Sequence, residues 1–295
     1  MKVLSLIALM LIPYFSLTAQ GDKNLVSEDF KMVDARVSAN LPQAADLSKL
    51  QNARPLSELN KNDRAEAYPF LTEDGLRLYF TQEVDGGAHI MLAERPDTES
   101  PFGAAVAQSF NVKNADTQSC WLSSDELTLF FTTRVERKHT LYKATRDDIT
   151  ENFGTPIVID LGRDDLGQFS SPSLSPDGKQ LYLHQFAEGA RTLVFDWVAE
   201  HKYEYKEALR FTDEMQKVTP GQLSADGLSY YSIDRKTGQL YILNRATLDD
   251  AFQFQKKIAL GANFHQVAIR GNWMLLTYST GKKWADNDLY IADWE

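Results

Sequence analysis

The chain has 295 residues, is 43 % hydrophobic and 24 % charged, and carries a formal net charge of −10. Such an acidic balance repels phosphate backbones, whose binding needs clustered Lys and Arg, so nucleic acid is excluded as a partner and anionic membrane surfaces are disfavoured. The single cysteine, Cys120, excludes an internal disulfide, and beside Trp121 it reads as an inert thiol in a buried strand.

Residues 1–19 have the form of a secretory signal peptide: Lys2, an apolar run from Val3 to Ile12, and Ala19 ahead of Gln20. Pro13 breaks the run short of the ~20 apolar residues that a bilayer core demands, and no later segment is longer. The mature chain is therefore expected to be exported, periplasmic or secreted, and not membrane-spanning. Residues 20–52 show neither repeat nor firm period and read as an N-terminal arm or linker.

From residue 53 to residue 295 one unit recurs. Tyr68-Pro69-Phe70-Leu71-Thr72-Glu73-Asp74-Gly75 leads to Leu78-Tyr79-Phe80, and Cys120 through Asp125 leads to Leu129-Phe130-Phe131. Ser171 through Asp177-Gly178 then leads to Leu181-Tyr182-Leu183, and Thr219 through Asp226-Gly227 to Tyr230-Tyr231. The aspartates of these copies, Asp74, Asp125, Asp177 and Asp226, stand 51, 52 and 49 residues apart by subtraction, and a degenerate fifth copy passes through Gly271-Asn272 to Tyr278. A period of this size marks propeller blades. In three of the units Asp-Gly fits a tight hairpin, and aromatic, alternating runs such as Leu141 to Arg146 and Leu240 to Arg245 give third strands. Fourth strands are expected at Phe102 to Phe110, Phe153 to Leu161, Tyr203 to Phe211 and Phe252 to Leu260. The fifth unit has none, whereas Ala53 to Asn60, ahead of the first unit, has that pattern. The N-terminal strand is therefore expected to complete the last blade, covering an open edge and giving a five-bladed, all-β propeller with four-stranded blades as one domain; six blades is the alternative count.

The phrase Pro-x-Leu-Ser-x-Asp-Gly followed by Leu-Tyr-Phe resembles the WD40-like propeller repeat of the TolB type, met in exported bacterial proteins, and the resemblance covers nearly all of residues 53–295. It implies a propeller that serves as a scaffold, a partner-binding protein or the propeller half of an enzyme. The chain departs from TolB in its count of five blades rather than six and in showing no recognisable mixed domain ahead of the propeller.

In a propeller the inter-blade segments and the turns between second and third strands share one face, around the channel mouth. Aligned by the strand that follows, the inter-blade segments place Glu66, Gln118, Gln168, Gln216 and Gln266 once per blade. Such a ring could hold a sugar, a peptide end or waters, since amides both donate and accept; the same residues serve equally to tie down their own loops. Asp63, Glu66, Asp116 and Asp165 form the alternative catalytic set, one acid and one base or nucleophile, as in a glycoside hydrolase. Second-to-third-strand turns carry Arg134, Arg137, Lys138 and His139, then Lys282 and Lys283 beside Trp284, which is a candidate recognition residue. No metal site or cofactor is expected: the histidines His89, His139, His184, His201 and His265 are scattered, and there is no phosphate loop, nucleophile elbow or calcium-loop spacing. The expected function is an exported binding or scaffold module, rather than an enzyme, that recognises a protein or envelope glycan through its mouth, with a carbohydrate-active enzyme as the alternative.

Overall fold

A computed structural model describes residues 50–186, 190–212, 221–234, 237–261, 263–279 and 287–294. The expected signal peptide and nearly all of the arm lie outside the described residues. Among the described residues no helix is long and apolar enough to cross a membrane.

Among the described residues twenty strands form five antiparallel sheets. β1 (Arg54–Pro55) precedes blade 1, which is β2 (Glu66–Leu71), β3 (Arg77–Val84), β4 (Gly87–Glu94) and β5 (Val106–Ala107). Blade 2 is β6 (Asp116–Leu122), β7 (Thr128–Val135), β8 (Lys138–Thr145) and β9 (Ile157–Val158). Blade 3 is β10 (Phe169–Leu174), β11 (Gln180–Gln185), β12 (Arg191–Ala199) and β13 (Lys202–Ala208). Blade 4 is β14 (Gln222–Leu223), β15 (Ser229–Asp234), β16 (Gln239–Asn244) and β17 (Gln253–Ala259), and blade 5 is β18 (Phe264–Arg270), β19 (Trp273–Ser279) and β20 (Asn287–Asp293). β1 is the fourth strand of blade 5, in the order β1-β20-β19-β18, with Arg54 opposite Ile291 and Pro55 opposite Tyr290. The ring is five-bladed and closed by its N-terminal strand, as the repeats require.

Closure continues past those two pairs. Leu56 N–H donates to Leu289 O at 2.9 Å, and the Asn60 amide then imitates one more strand residue, donating to Leu289 O and accepting from Leu289 N–H. Asn111 does the same to both backbone groups of Ile90 on blade 1. Leu56 and Leu59 are fully buried against blade 1, each stabilising the join by about 1.5–3 kcal/mol.

Among the described residues the core is divided: five apolar clusters each fill the gap between two adjacent blades, and a small sixth lies at Ala65 and Ala67. Alternation on one strand serves two of them: Leu78 and Phe80 face the blade 5 side, while Tyr79 between them faces blade 2. Both faces of each blade are thus covered, which is why the second strands read as unbroken apolar runs.

The repeated aspartates build the hairpins. In four blades the carboxylate accepts from the hydroxyl two residues before it, Thr72, Ser123, Ser175 or Ser224, and from the backbone N–H two residues after it. These bonds hold the Asp125 and Asp177 carboxyls below their ordinary value, the hydroxyl bond contributing most. A left-handed residue follows each aspartate, at Gly75, Glu126, Gly178 and Gly227. At Gly75 the rule is doubly strict, because a Cβ there would lie 2.6 Å from the Trp273 ring of blade 5.

The fourth strands are shorter than expected in blades 1 and 2. Only Val106–Ala107 and Ile157–Val158 pair regularly, although Gly103 and Gly154 donate to the third strand further along. In blade 2 the reason is Pro156, which has no N–H to give the ladder.

Candidate functional site

The inner strands of blades 1, 2, 3 and 5 are kinked near the axis. The ladder slips between Ala67 and Phe70 in blade 1, between Gln118 and Cys120 in blade 2, between Ser170 and Ser173 in blade 3 and between Phe264 and Gln266 in blade 5. Tyr68, Ser119 and Ser171 sit at the kinks with positive φ of 51°, 44° and 53°. The extra residue turns a backbone N–H toward the neighbouring blade, where it finds an acceptor. Tyr68 N–H donates to Gln266 Oε1 at 2.8 Å, Ser119 N–H to Thr81 Oγ1 at 3.1 Å, and Ser171 N–H to Ser119 Oγ at 3.0 Å. Three joins of the ring are stitched in this way.

Inside these kinks is a cavity of about 90 Å³ on the axis, to which the mouth-side ends of β11 and β15 contribute His184, Phe186 and Ile233. Its other walls include Tyr68, Cys120, Ser171, Ser173, His265 and Gln266, and no Asp, Glu, Lys or Arg among the described residues lines it. For a chain that is 24 % charged this is a distinctive lining, whose basic groups are His184 and His265. Cys120 is buried as expected, and burial pushes its thiol up to about 12, so it faces the cavity as an unreactive group.

The amides and acids singled out by the repeats do not share one level. The strand residues opposite Tyr79, Phe130, Tyr182 and Leu275 are Phe70, Trp121, Ser173 and Ala268. Counted back from these by subtraction, Glu66 lies four residues before its reference, Gln118 three, Gln168 five and Gln266 two. Only Gln266 reaches the cavity. Gln118 is fully buried within β6, and Gln168 is half-buried with its carbonyl accepting Phe186 N–H. Gln216 and Trp284 lie outside the described residues. The slip is one residue in all four blades, so the stagger lies in the sequence itself, where these side chains stand at unlike distances from the hairpin that follows.

The acidic set disperses as well. Asp63 is exposed, 4.0 Å from Arg64, and Asp165 is exposed in a pair with Arg163 that lowers its pKa. Asp116 is buried: Arg134 reaches it through Nε at 3.0 Å and through Nη2, and Ala88 N–H donates to its other oxygen at 3.1 Å. Arg134 is therefore part of an internal ion pair and not of a solvated basic rim. His139 leaves the rim too, buried with Nδ1 against Phe169 O, whereas Arg137 and Lys138 are exposed. Glu66 is fully buried between Gln82 Nε2 at 2.8 Å and Lys61 N–H at 3.2 Å. Burial raises its pKa to about 8, against the two hydrogen bonds and with the help of Asp288. Glu83, unnoticed in the sequence, is raised to about 7 by burial, the nearby Asp63 and Asp116 adding to the effect. Its position at the end of β3, beside the turn Asp85-Gly86-Gly87, was the available signal.

The sequence matches no protein-family model and no curated protein. Among known structures the fold is similar to that of a luciferin-regenerating enzyme, at 13 % identity and a TM-score of 0.51, covering 82 % of this chain and 95 % of that one. A GH43_1 enzyme from Xanthomonas citri is similar at 13 % identity and a TM-score of 0.49, covering 84 % of this chain and 92 % of that one. TolB from Acinetobacter baumannii is similar at 13 % identity and a TM-score of 0.43, covering 78 % of this chain and 54 % of that one. At 13 % identity the first likeness shows the propeller fold alone.

Proposed function

We propose that this chain is an exported binding module of the TolB-like propeller type, engaging a protein or envelope glycan at its channel mouth. The observation that carries this is the axial cavity, which is polar on several sides, free of Asp, Glu, Lys and Arg among the described residues, and bounded toward the mouth by the ends of β11 and β15. At about 90 Å³ it is well below the ~300–1,000 Å³ of sites that enclose a whole small molecule, so it suits a protruding group of a larger partner. A glycosidase needs two carboxyl groups on either side of a scissile bond. Here none of Asp63, Glu66, Asp116 and Asp165 lines the cavity, and Glu66, the one that holds a proton at neutral pH, has no exposed surface.

Site-specific photo-crosslinking in the exporting cell tests the reading. A photoreactive residue at exposed Val135, in a mouth-side turn, should give a discrete adduct, and one at Asp97, in a loop on the opposite face, should give none. Equal labelling from both faces would remove the case for recognition at the mouth.

A further inference from the structure

Three polar side chains on the cavity wall, one from each of blades 3, 4 and 5, keep hydrogen-bonding capacity that the fold does not use. The Gln266 amide is fixed: its Oε1 accepts Tyr68 N–H at 2.8 Å and the Thr277 hydroxyl at 2.8 Å. A backbone N–H can only donate, so the oxygen is on that side, and the two Nε2 donors have no partner among the described residues. Ser173, only 8 % exposed, and Gln222 also line the cavity, and their side chains make no hydrogen bond among the described residues. On the opposite wall the capacity is taken up internally, Ser119 Oγ meeting Thr132 Oγ1 and accepting Ser171 N–H. The cavity is therefore lopsided, with open donors and acceptors on blades 3 to 5 and apolar surface from Tyr68, Phe186 and Val267 beside them.

That combination has a chemical meaning. A cation, or an anion facing neutral His184 and His265, would lose its water and meet no counter-charge among the described residues, a cost of several kcal/mol, since none of their Asp, Glu, Lys or Arg side chains lines the wall. A purely apolar group would strand the Gln266, Gln222 and Ser173 groups without water or partner. A pair of neighbouring hydroxyls on a carbon ring avoids both penalties, because each hydroxyl donates and accepts at once and the ring carbons pack on the apolar side. About 90 Å³ admits one edge of such a ring and not a chain threading through. From this we propose that the cavity binds the terminal residue of a neutral glycan end-on, with Gln266, Ser173 and Gln222 reading its hydroxyls. The proposal rests on the axial cavity being the recognition point of the module.

The test is titration calorimetry of the purified chain against a panel of oligosaccharides with neutral, uronic acid and amino-sugar ends, run beside the crosslinking experiment. Neutral ends should bind and charged ends should bind at least ~10-fold more weakly. Gln266→Glu keeps an acceptor for Tyr68 N–H but removes the donors, and Ser173→Ala removes the hydroxyl; each should weaken binding about 5–10-fold while thermal unfolding confirms an intact ring. Charged ends that bind as well as neutral ones would overturn the proposal, as would variants that fold and bind unchanged. If no glycan binds and Val135 still crosslinks a protein, the glycan assignment fails and the binding-module reading stands; if Val135 gives no adduct either, both fail.

Discussion

Glu66 shows how a single side chain carries a pH dependence through a whole fold. Its carboxyl lies near 8 in the folded chain against 4.5 when free, so its contribution is fully present below about pH 4.5 and is lost as pH rises through 8. Glu83, near 7, adds a smaller effect of the same sign, reduced by its exposure. Glu66→Gln imitates the protonated acid, so urea denaturation should show the variant more stable than the parent at pH 8 by a few kcal/mol at most, with the difference vanishing near pH 4.5. Parallel stability curves across that range would contradict the buried, protonated carboxyl. Glu126 presents the reverse case, in which a costly backbone is kept for a side chain. It stands where three other hairpins have glycine, at φ 59°, and its carboxylate takes Arg77 through Nε at 2.7 Å and Nη2 at 2.6 Å, joining blade 1 to blade 2. Relief of the left-handed conformation gains about 1 kcal/mol, whereas removing one partner of a mostly buried pair costs about 3–5 kcal/mol. Glu126→Gly should therefore destabilise by about 2 kcal/mol or more, seen as a lower urea midpoint at unchanged m-value.

At the scale of the strand and its turn, one arginine recurs as a clasp. Arg95, Arg146 and Arg245 end the third strands of blades 1, 2 and 4 and donate through Nε to the carbonyls of Gly75, Glu126 and Gly227 on the first hairpin. Each also reaches the loop that follows and lies 4.4–4.6 Å over the ring of Phe102, Phe153 or Phe252. Blade 3 lacks the arginine, and the Tyr203 hydroxyl donates to Gly178 O in its place. The signal is visible in the sequence as Arg followed seven residues later by Phe, though its meaning needs the fold: only the hairpin returning beside the third strand brings the carbonyl within reach. A lysine has one point charge and no planar face, so Arg245→Lys should lower the melting temperature by several degrees, as a loss of about 1–3 kcal/mol implies, measured by differential scanning calorimetry. An unchanged melting temperature would show the clasp to be idle.

For the molecule as a whole, stability depends on a join between residues far apart in sequence. Arg54 opposite Ile291 spans 237 positions by subtraction, so closure comes only when the intervening blades are in place. Deleting residues 50–60 removes β1, the Asn60 clasp and the buried Leu56 and Leu59, and leaves the edge of β20 bare. Such a chain should lose cooperative unfolding and self-associate, readable by size-exclusion chromatography with light scattering. A monomeric, cooperatively unfolding product would mean that four interfaces hold the ring without the fifth.

The repeats at Asp74, Asp125, Asp177 and Asp226 were sufficient for the architecture, because a period of about fifty residues with hairpin chemistry at one fixed place allows few other folds, and the strand-like Ala53 to Asn60 lacked any other place to go. The burial of Cys120 was legible for a similar reason, as a matter of local apolar pattern. The site was legible only in part. Gln266 was visible as a candidate, but Ser173, Gln222 and the wall between them were not, since which inner-strand residues line the axis depends on how the blades meet there. Likewise, that Asp116 faces Arg134 and that Glu66 is buried beside Gln82 follow from which side chains the closed ring brings together. Period and pattern are properties of neighbours along the chain, and they settled how many blades there are and how the ring shuts; hydrogen-bond capacity left over at the axis is a property of five blades meeting, and only the tertiary structure could decide it.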